Sequence, residues 1–470
     1  MRAARLALIA LATAASVPAS ATAAPVITTD PPIQPNFRHV IKDYAIRCPD
    51  RSFTISGDGY DGPDSFAIEP GQRVSFSVEK GDDVIRHHIR CLPDDFPTWE
   101  YHRNGPQEHR WFLMTPGVSF SSPIKPFVTI FDRYGAPLWW YRSPSGQAHD
   151  ARIIDGNIAY AEAPPGGTFN PDASLQYRVR QPDGTLVRSI EAVGTPTDFH
   201  DFQPLGRGFL VLVYHPREHV DFSAYGGPAD ATILDSEIQR IGRAGRLKWS
   251  WSSKDHIGLG ETGRWWPFIF SHPSSIGGGN EAYDATHINS IEVVGDDLLV
   301  SLRHTDAIYR IRMSDGRIRW KLGGTETSRS LRVVGDTVDY PLGGQHDARM
   351  WHGTVTAHDN GTDLGRPPRA VRYEIDTQRR TARLLESVTD PSITSSICCG
   401  SARKLGDGNW LIGWGGNGTS SLLTPHGRLI SRFTLQDVFS YRTVAQPESA
   451  VKRSALRDGM DALFAAGEAD

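Results

Sequence analysis

The sequence predicts an all-β chain: a six-bladed β-propeller preceded by a small N-terminal β-sandwich-like domain. Two observations carry this expectation. Four segments open on a histidine and run into an apolar hairpin: HDARIIDGNIAYAEA from His149, HDFQPLGRGFLVLVY from His200, HINSIEVVGDDLLVSLR from His287 and HDARMWHGTVTAH from His346. Six more have the form strand, polar or glycine turn, strand, starting at Phe127, Leu175, Glu237, Ala307, Ala370 and Ser420. The two kinds alternate at a period of about 50 residues, as propeller blades of four strands do. The blocks run approximately from His109 to Tyr141, His149 to Ile190, His200 to Trp251, His287 to Leu322, His346 to Ser387 and Gly400 to Phe433. The last inner hairpin opens on Gly400 instead of a histidine.

The chain divides into a leader over 1–24, a small β domain over 25–105, the propeller over 106–445 and a C-terminal tail over 446–470. Arg2 and Arg5 precede an apolar run from Leu6 to Ala15, and Ala21-Thr22-Ala23 fits a cleavage site, so the leader reads as a secretory signal and the mature protein as periplasmic or secreted. No later segment approaches the roughly 18 apolar residues of a membrane span. Between Pro25 and Gly105, short alternating runs such as SFTISG and VSFSVEK are broken by Gly, Pro and Asp, which suits a small β-sandwich. The Pro-, Asp- and aromatic-rich stretch from Pro93 to Gly105 reads as a linker. Between the blocks at His200 and His287 lies an insertion, GLGETGRWWPFIFSHPSSIGGGN, with the character of a lid or a dimer contact. The tail has helix-compatible runs and reads as frayed.

Lys+Arg of 50 against Asp+Glu of 54 leaves a formal charge of -4, no electrostatic footprint for nucleic acid or an anionic membrane. Any anion must be captured locally. Four cysteines in an exported chain point to disulfides, with Cys48 and Cys91, both in the N-terminal region, as the natural pair. Cys398 and Cys399 are adjacent, which allows a vicinal ring, two thiols or mixed pairing. No Cys-x-x-Cys spacing argues for a metal.

The innermost strand of each blade lines the axial channel, so residues that open the inner hairpins converge there. His200, His287 and His346 occupy those positions, Asn289 shares a strand face with His287 by period-2 alternation, and Arg303 returns on the same hairpin. One such histidine alone is an ordinary hydrogen-bond partner; the recurrence is what argues for a site. His149 can be a structural remnant of the repeat. Imidazoles, an amide and a guanidinium form a donor-rich pocket that suits sulfate or phosphate, while the scarcity of carboxylates counts against calcium or magnesium. Asp201 and Asp347 read as turn residues or supports. Trp139, Trp140, Trp249, Trp251 and Trp320 in the outer hairpins read as packing between blades.

TDFHDFQPL, DATHINSIEVV with SLRHTDAIYRI, RIRWKLGG, GGQHDARM with HDNG, and GDGNWLIGWGG, in that order from His200 to Phe433, resemble the arylsulfotransferase family. The resemblance implies an exported six-bladed propeller that moves a sulfuryl group from an aryl sulfate donor to a phenolic acceptor, without an adenylyl sulfate donor, a cofactor or a metal. It implies that His346 is the nucleophile, passing through an N-sulfohistidine. His287, Asn289, Arg303 and His200 would hold the sulfuryl oxygens, with His200 able to protonate the leaving phenolate. The partners expected are small molecules, neither nucleic acid nor membrane, with a homodimer left open. Two other readings compete: a non-catalytic propeller that binds a protein or glycan at its rim, and a propeller enzyme whose histidines ligate a metal or serve redox chemistry.

Overall fold

The computed structural model describes residues 25–118, 126–163 and 175–469; the leader expected over 1–24 lies outside them. The chain is all-β, about half of it strand and 9% helix. Beyond the N-terminal region the described residues form six successive large sheets, mainly antiparallel, with a two-stranded ribbon of Ser274–Ser275 and Glu281–Ala282 between the third and fourth. The first joins Arg110–Val118, Phe127–Phe131 and Pro137–Arg142. The second runs from Gln147–Ile154 to Leu186–Ile190, the third from Thr197–Leu205 to Leu247–Ser252, and the fourth from Ile288–Val294 to Ile318–Gly323, each with four strands. The fifth runs from His346–Trp351 to Thr381–Val388 and gains Arg332–Val334 as a parallel edge strand. The sixth runs from Ser401–Lys404 to Leu429–Leu435. These limits follow the expected blocks closely.

Segments on either side of the six sheets are pinned to this array. Phe439–Pro447 returns to pair with Arg110–Val118 as the fourth strand of the first sheet. The stretch expected as a linker is not one throughout: Trp99–Arg103 is an outer strand of the sixth sheet, paired with Leu429–Leu435. The Pro, Asp and Gly on either side hid a five-residue strand whose Trp99 is buried. The tail is not frayed either. Helix Arg453–Ala465 buries Leu456, Met460 and Leu463 against a core that includes Trp140 and Trp111. Arg453 and Arg457 both reach Asp43 of the N-terminal region, at 2.8 and 2.6 Å. Spacing of four and three residues between its buried positions puts them on one helical face, which is what docks it.

The N-terminal region consists of two three-stranded sheets over a common apolar core that includes Ile46, Phe53, Ile55, Val78 and Ile89. One strand pair, Asp43–Arg47 with Asp83–Leu92, is parallel. Cys48 and Cys91 are joined by a disulfide with a Cα–Cα separation of 5.9 Å. Cys398 and Cys399 are thiols.

Trp139 and Trp251 stitch neighbouring sheets together as expected, Trp410 does so as well, and Trp140 instead donates Nε1 to Ala469 O at 2.9 Å. Trp139 Nε1 donates to Pro182 O at 2.7 Å, Trp251 Nε1 to Gly316 O at 3.0 Å, and Trp410 Nε1 to Glu386 Oε2 at 2.8 Å. A buried indole needs such an acceptor to avoid an orphaned donor.

The first strands of the second to fifth sheets share an irregularity. Their registers shift between His149 and Arg152, Asp198 and Phe202, Ile288 and Ser290, and His346 and Arg349. Asp150, His287 and Asp347 take positive φ values of 49°, 50° and 54°. A regular strand would send adjacent side chains to opposite faces; a bulge breaks that alternation and re-aims them.

Candidate active site

The bulges deliver two layers of polar groups. The deeper one is ionic. Asp201, fully buried, accepts from Arg152 at 2.9 Å and Arg349 at 2.8 Å. Asp347 accepts from Arg349 and Arg403, each at 2.8 Å, and lies 3.3 Å from Arg442. Arg442, on the returning C-terminal strand, also meets Asp150 at 2.9 Å and donates to Asn289 O at 2.6 Å. Burial pushes the Asp201 and Asp347 carboxyls up, but Arg349 and its neighbours outweigh it and hold both below the usual carboxylate range. Asp201 and Asp347 are thus more than turn residues. They knit strands of five sheets, and the fourth sheet joins through Ile291, whose N–H donates to Asp201 at 2.9 Å and whose carbonyl accepts from Arg349 at 2.8 Å. The carboxylates called scarce from sequence are present, already neutralised by arginine.

Above this layer the histidines gather. The rings of His200 and His287 lie 4.8 Å apart, and so do those of His287 and His304. Tyr441 sits between the groups, 5.6 Å from the His200 ring and 6.5 Å from that of His346. His200 Nδ1 is 2.8 Å from the Asp198 carboxylate, and His287 Nδ1 donates to Asp284 at 2.5 Å. Such carboxylate partners fix ring orientation and tautomer. His149, buried beside Phe199 at 4.5 Å, bonds only Gln147 through Nε2.

His346 is held most tightly. Its Nδ1 faces two acceptors, Gly344 O and Asn360 Oδ1, both at 2.9 Å, while Nε2 accepts from the backbone N–H of Cys399 at 3.1 Å. The proton is therefore on Nδ1 and the lone pair on Nε2. Asn360 is itself oriented by donating Nδ2 to Ser396 Oγ at 2.8 Å and Cys399 O at 3.0 Å. Burial first, and the Arg303 cation second, hold the His346 pKa well below 6.5, so the ring is neutral. Gly344 must be glycine: its φ is +63°, and a Cβ would stand 2.8 Å from Thr362 Oγ1.

Arg303 reaches the same loop from the other side, donating Nη2 to Ile397 O at 3.0 Å and Nη1 to His304 Nε2 at 2.6 Å. Its guanidinium lies 4.4 Å from the Trp265 ring centre, and its Nε has no hydrogen-bond partner among the described residues. Trp265 belongs to the insertion, whose helices Leu259–Trp265 and Trp266–Ser271 wall this side of the site. Asp306 ties the wall to the His346 loop by accepting from Trp265 Nε1 at 2.9 Å and Gly344 N at 2.7 Å.

Asn289 departs from expectation. Its Nδ2 donates to Gln345 O at 2.7 Å, and the atom left without a partner is the acceptor Oδ1. The positive φ at His287 breaks the alternation that was to align the two side chains. Asn289 therefore braces the residue before His346 and is not placed as a second donor beside His287.

Asp284, His287 and His304 bring three ligand atoms within 4.8 Å of one another, a spacing a metal ion could use. Arg303 already donates to His304 Nε2, and Asp284 already accepts from His287, so a cation there would face a guanidinium and break both bonds. The set suits an anion better. His304, Tyr441, Asp284, Asp198 and Asn360 were not singled out from sequence, and the Ile397–Cys399 loop was noted only for its adjacent cysteines. Asp198 and Asp284 stand two and three residues before their histidines, a spacing that could have found them; His304, Asn360 and the Ile397–Cys399 loop lie outside the repeated strand starts, and Tyr441 lies on the closing strand Phe439–Pro447.

An all-β protein with repeated antiparallel sheets and a buried His/Arg cluster capable of gripping an oxyanion is the class that fold and site define. The arylsulfotransferase (ASST) family model matches residues 168–435, more than half of the sequence, and the chain belongs to that family. No curated protein is detectably similar to it. Among solved structures, a protein of unknown function from Bacteroides caccae aligns over 72% of this chain and 99% of its own at 12% identity and a TM-score of 0.43. The periplasmic gluconolactonase PpgL of Pseudomonas aeruginosa aligns over the same shares at 13% identity and a TM-score of 0.41.

Proposed function

We propose that this protein transfers a sulfuryl group from an aryl sulfate to a phenol through an N-sulfohistidine at His346. The observation that carries the reading is the polarity of the His346 ring: Nδ1–H is held by Gly344 O and Asn360 Oδ1, and Nε2 presents a lone pair in a dry site beside Arg303. In the first step Nε2 attacks sulfur, the bond from sulfur to the aryl oxygen breaks, and its electron pair leaves on the phenolate oxygen, which takes a proton. In the second, the oxygen of an acceptor phenol attacks sulfur, loses its proton, and the N–S pair returns to Nε2. Transfer of this type is governed by positioning and charge stabilisation.

Arg303 faces the sulfuryl oxygens with Nε, the donor without a partner. The Cys399 N–H, given up by Nε2 as the new bond forms, passes to a sulfuryl oxygen as a backbone donor. His287 and His200, oriented by Asp284 and Asp198, complete the grip, and Asn289 acts as a positioning residue through Gln345. Tyr441, whose hydroxyl has no partner among the described residues and whose pKa burial raises well above 10, stands beside His200 as a proton donor to the departing oxygen. In this reading the six sheets are the blades of a closed propeller, sealed by the C-terminal strand and the Arg442 cluster. The mature protein is periplasmic or secreted, after loss of residues 1–24.

Initial rates measured with a chromogenic aryl sulfate and varied phenol test the proposal. Parallel double-reciprocal lines, and no exchange with His346→Asn, are expected. Intersecting lines, or exchange retained by that variant, would overturn it.

A further inference from the structure

We propose a second anion site, which shares no residue with the His346 cluster and holds a glycan segment bearing sulfate or phosphate half-esters. A groove of about 680 Å³ opens between the outer strands of the fourth and fifth sheets and is lined by Arg310, Arg312, Arg317, Arg319, Arg329 and Arg380, with Asp297 as its one carboxylate. Asp297 pairs with Arg310 and Arg319, each at 2.9 Å, and Asp315 with Arg312 at 2.5 Å and Arg317 at 3.8 Å. Six guanidinium groups against those two carboxylates leave an excess of four positive charges in a chain whose formal charge is -4. Arg317 is 75% exposed, and Arg380 donates to Ser328 O and Ser330 O at 2.6 and 3.1 Å, which fixes its fork without neutralising it.

All six cations are arginine. The planar fork matches the paired oxygens of a sulfate or phosphate ester, where lysine would present a point charge. Other polyanions fit less well. Trp320, the single aromatic residue of the lining, is 7% exposed, so no ring stands ready to stack on nucleic acid bases. The sheet edge beside the groove is partly taken: Lys321 N donates to Arg329 O and Leu331 N to Lys321 O, which blocks addition of an acidic peptide as a strand. The lining also carries the half-buried apolar side chains of Ile318 and Ile375, against which the C–H faces of sugar rings can lie.

The test is fluorescence anisotropy of the full chain with a labelled sulfated hexasaccharide, beside a phosphorylated and an uncharged hexasaccharide and a single-stranded oligonucleotide. Binding of one or both ester-bearing glycans is expected, weakening with salt. The triple variant Arg317→Ser, Arg329→Ser, Arg380→Ser should bind at least about tenfold more weakly, as should Arg317→Glu alone. A control triple of exposed arginines, Arg207→Ser, Arg243→Ser, Arg246→Ser, should bind like the parent, and all should keep aryl sulfate turnover if the parent has it. The site claim fails if no glycan binds, if the oligonucleotide binds as well as the glycans, or if groove and control triples lose binding equally. Glycan binding does not depend on turnover, so the fate of His346 leaves it untouched.

Discussion

Nε2 of His346 accepts a hydrogen bond from the N–H of Cys399 at 3.1 Å, in a residue held at φ +64°. The lone pair a nucleophile needs is thus pointed at a backbone donor by the Ile397–Cys399 loop, whose other end is held by Arg303. This loop packs so closely that a Cβ on Gly415 would stand 2.3 Å from Cys398 O. Gly415→Ala, also at positive φ, is expected to displace the loop and lower exchange about tenfold or more while leaving the protein folded. Circular dichroism and initial rates check it; unchanged rates would separate the loop from the chemistry.

Arg303→Gln is expected to reduce exchange by about 10²–10³. The pH profile should move little, because burial is the larger cause of the low His346 pKa and Arg303 the smaller. Rate measurements from pH 6 to pH 8 check this. Recovery of an acid limb near pH 6.5 in the variant would show that the cation, not burial, keeps His346 neutral.

Tyr441→Phe removes a buried hydroxyl that has no partner. Deleting an orphaned polar atom is neutral or stabilising, whereas deleting a proton donor slows the reaction about 10²-fold or more. The expected result is therefore a thermal midpoint equal to or above the parent's with slower exchange of aryl sulfates having poor leaving groups. A falling midpoint with unchanged rate would contradict it.

Stability should depend on pH through the buried histidines. Burial holds His149 and His358 at about 3, against 6.5 when unfolded. A folded pKa below the unfolded one means the unfolded chain takes protons first, so the contribution is complete above about 6.5 and is lost as pH falls towards 3. Each histidine costs ~1.4 kcal/mol per pH unit across that window. Denaturant titrations at pH 7, 6 and 5 should show a progressive loss, and a flat profile would place these rings in water.

Much of this was legible beforehand because repetition is a strong signal. Sheet limits, inner histidines, tryptophan bridges and the Cys48–Cys91 pairing all follow from spacing or compartment. What stayed hidden depends on local backbone geometry. Period-2 alternation put Asn289 beside His287, but the bulge there sent its amide to Gln345 O. Trp99–Arg103 lay among turn residues, and its partner strand is more than 300 residues away, beyond any local pattern. His304 adjoins Arg303, which was noted, yet a histidine next to an arginine and a tyrosine in a closing strand have no spacing to betray them.

The central claim is a covalent one, and intact-mass analysis tests it most directly. After brief incubation with an aryl sulfate and no acceptor, the protein should carry one added SO₃ group, mapped to His346, lost on addition of phenol and missing in His346→Asn. Release of phenol with no mass gain in the parent, or the same gain in His346→Asn, would contradict the account.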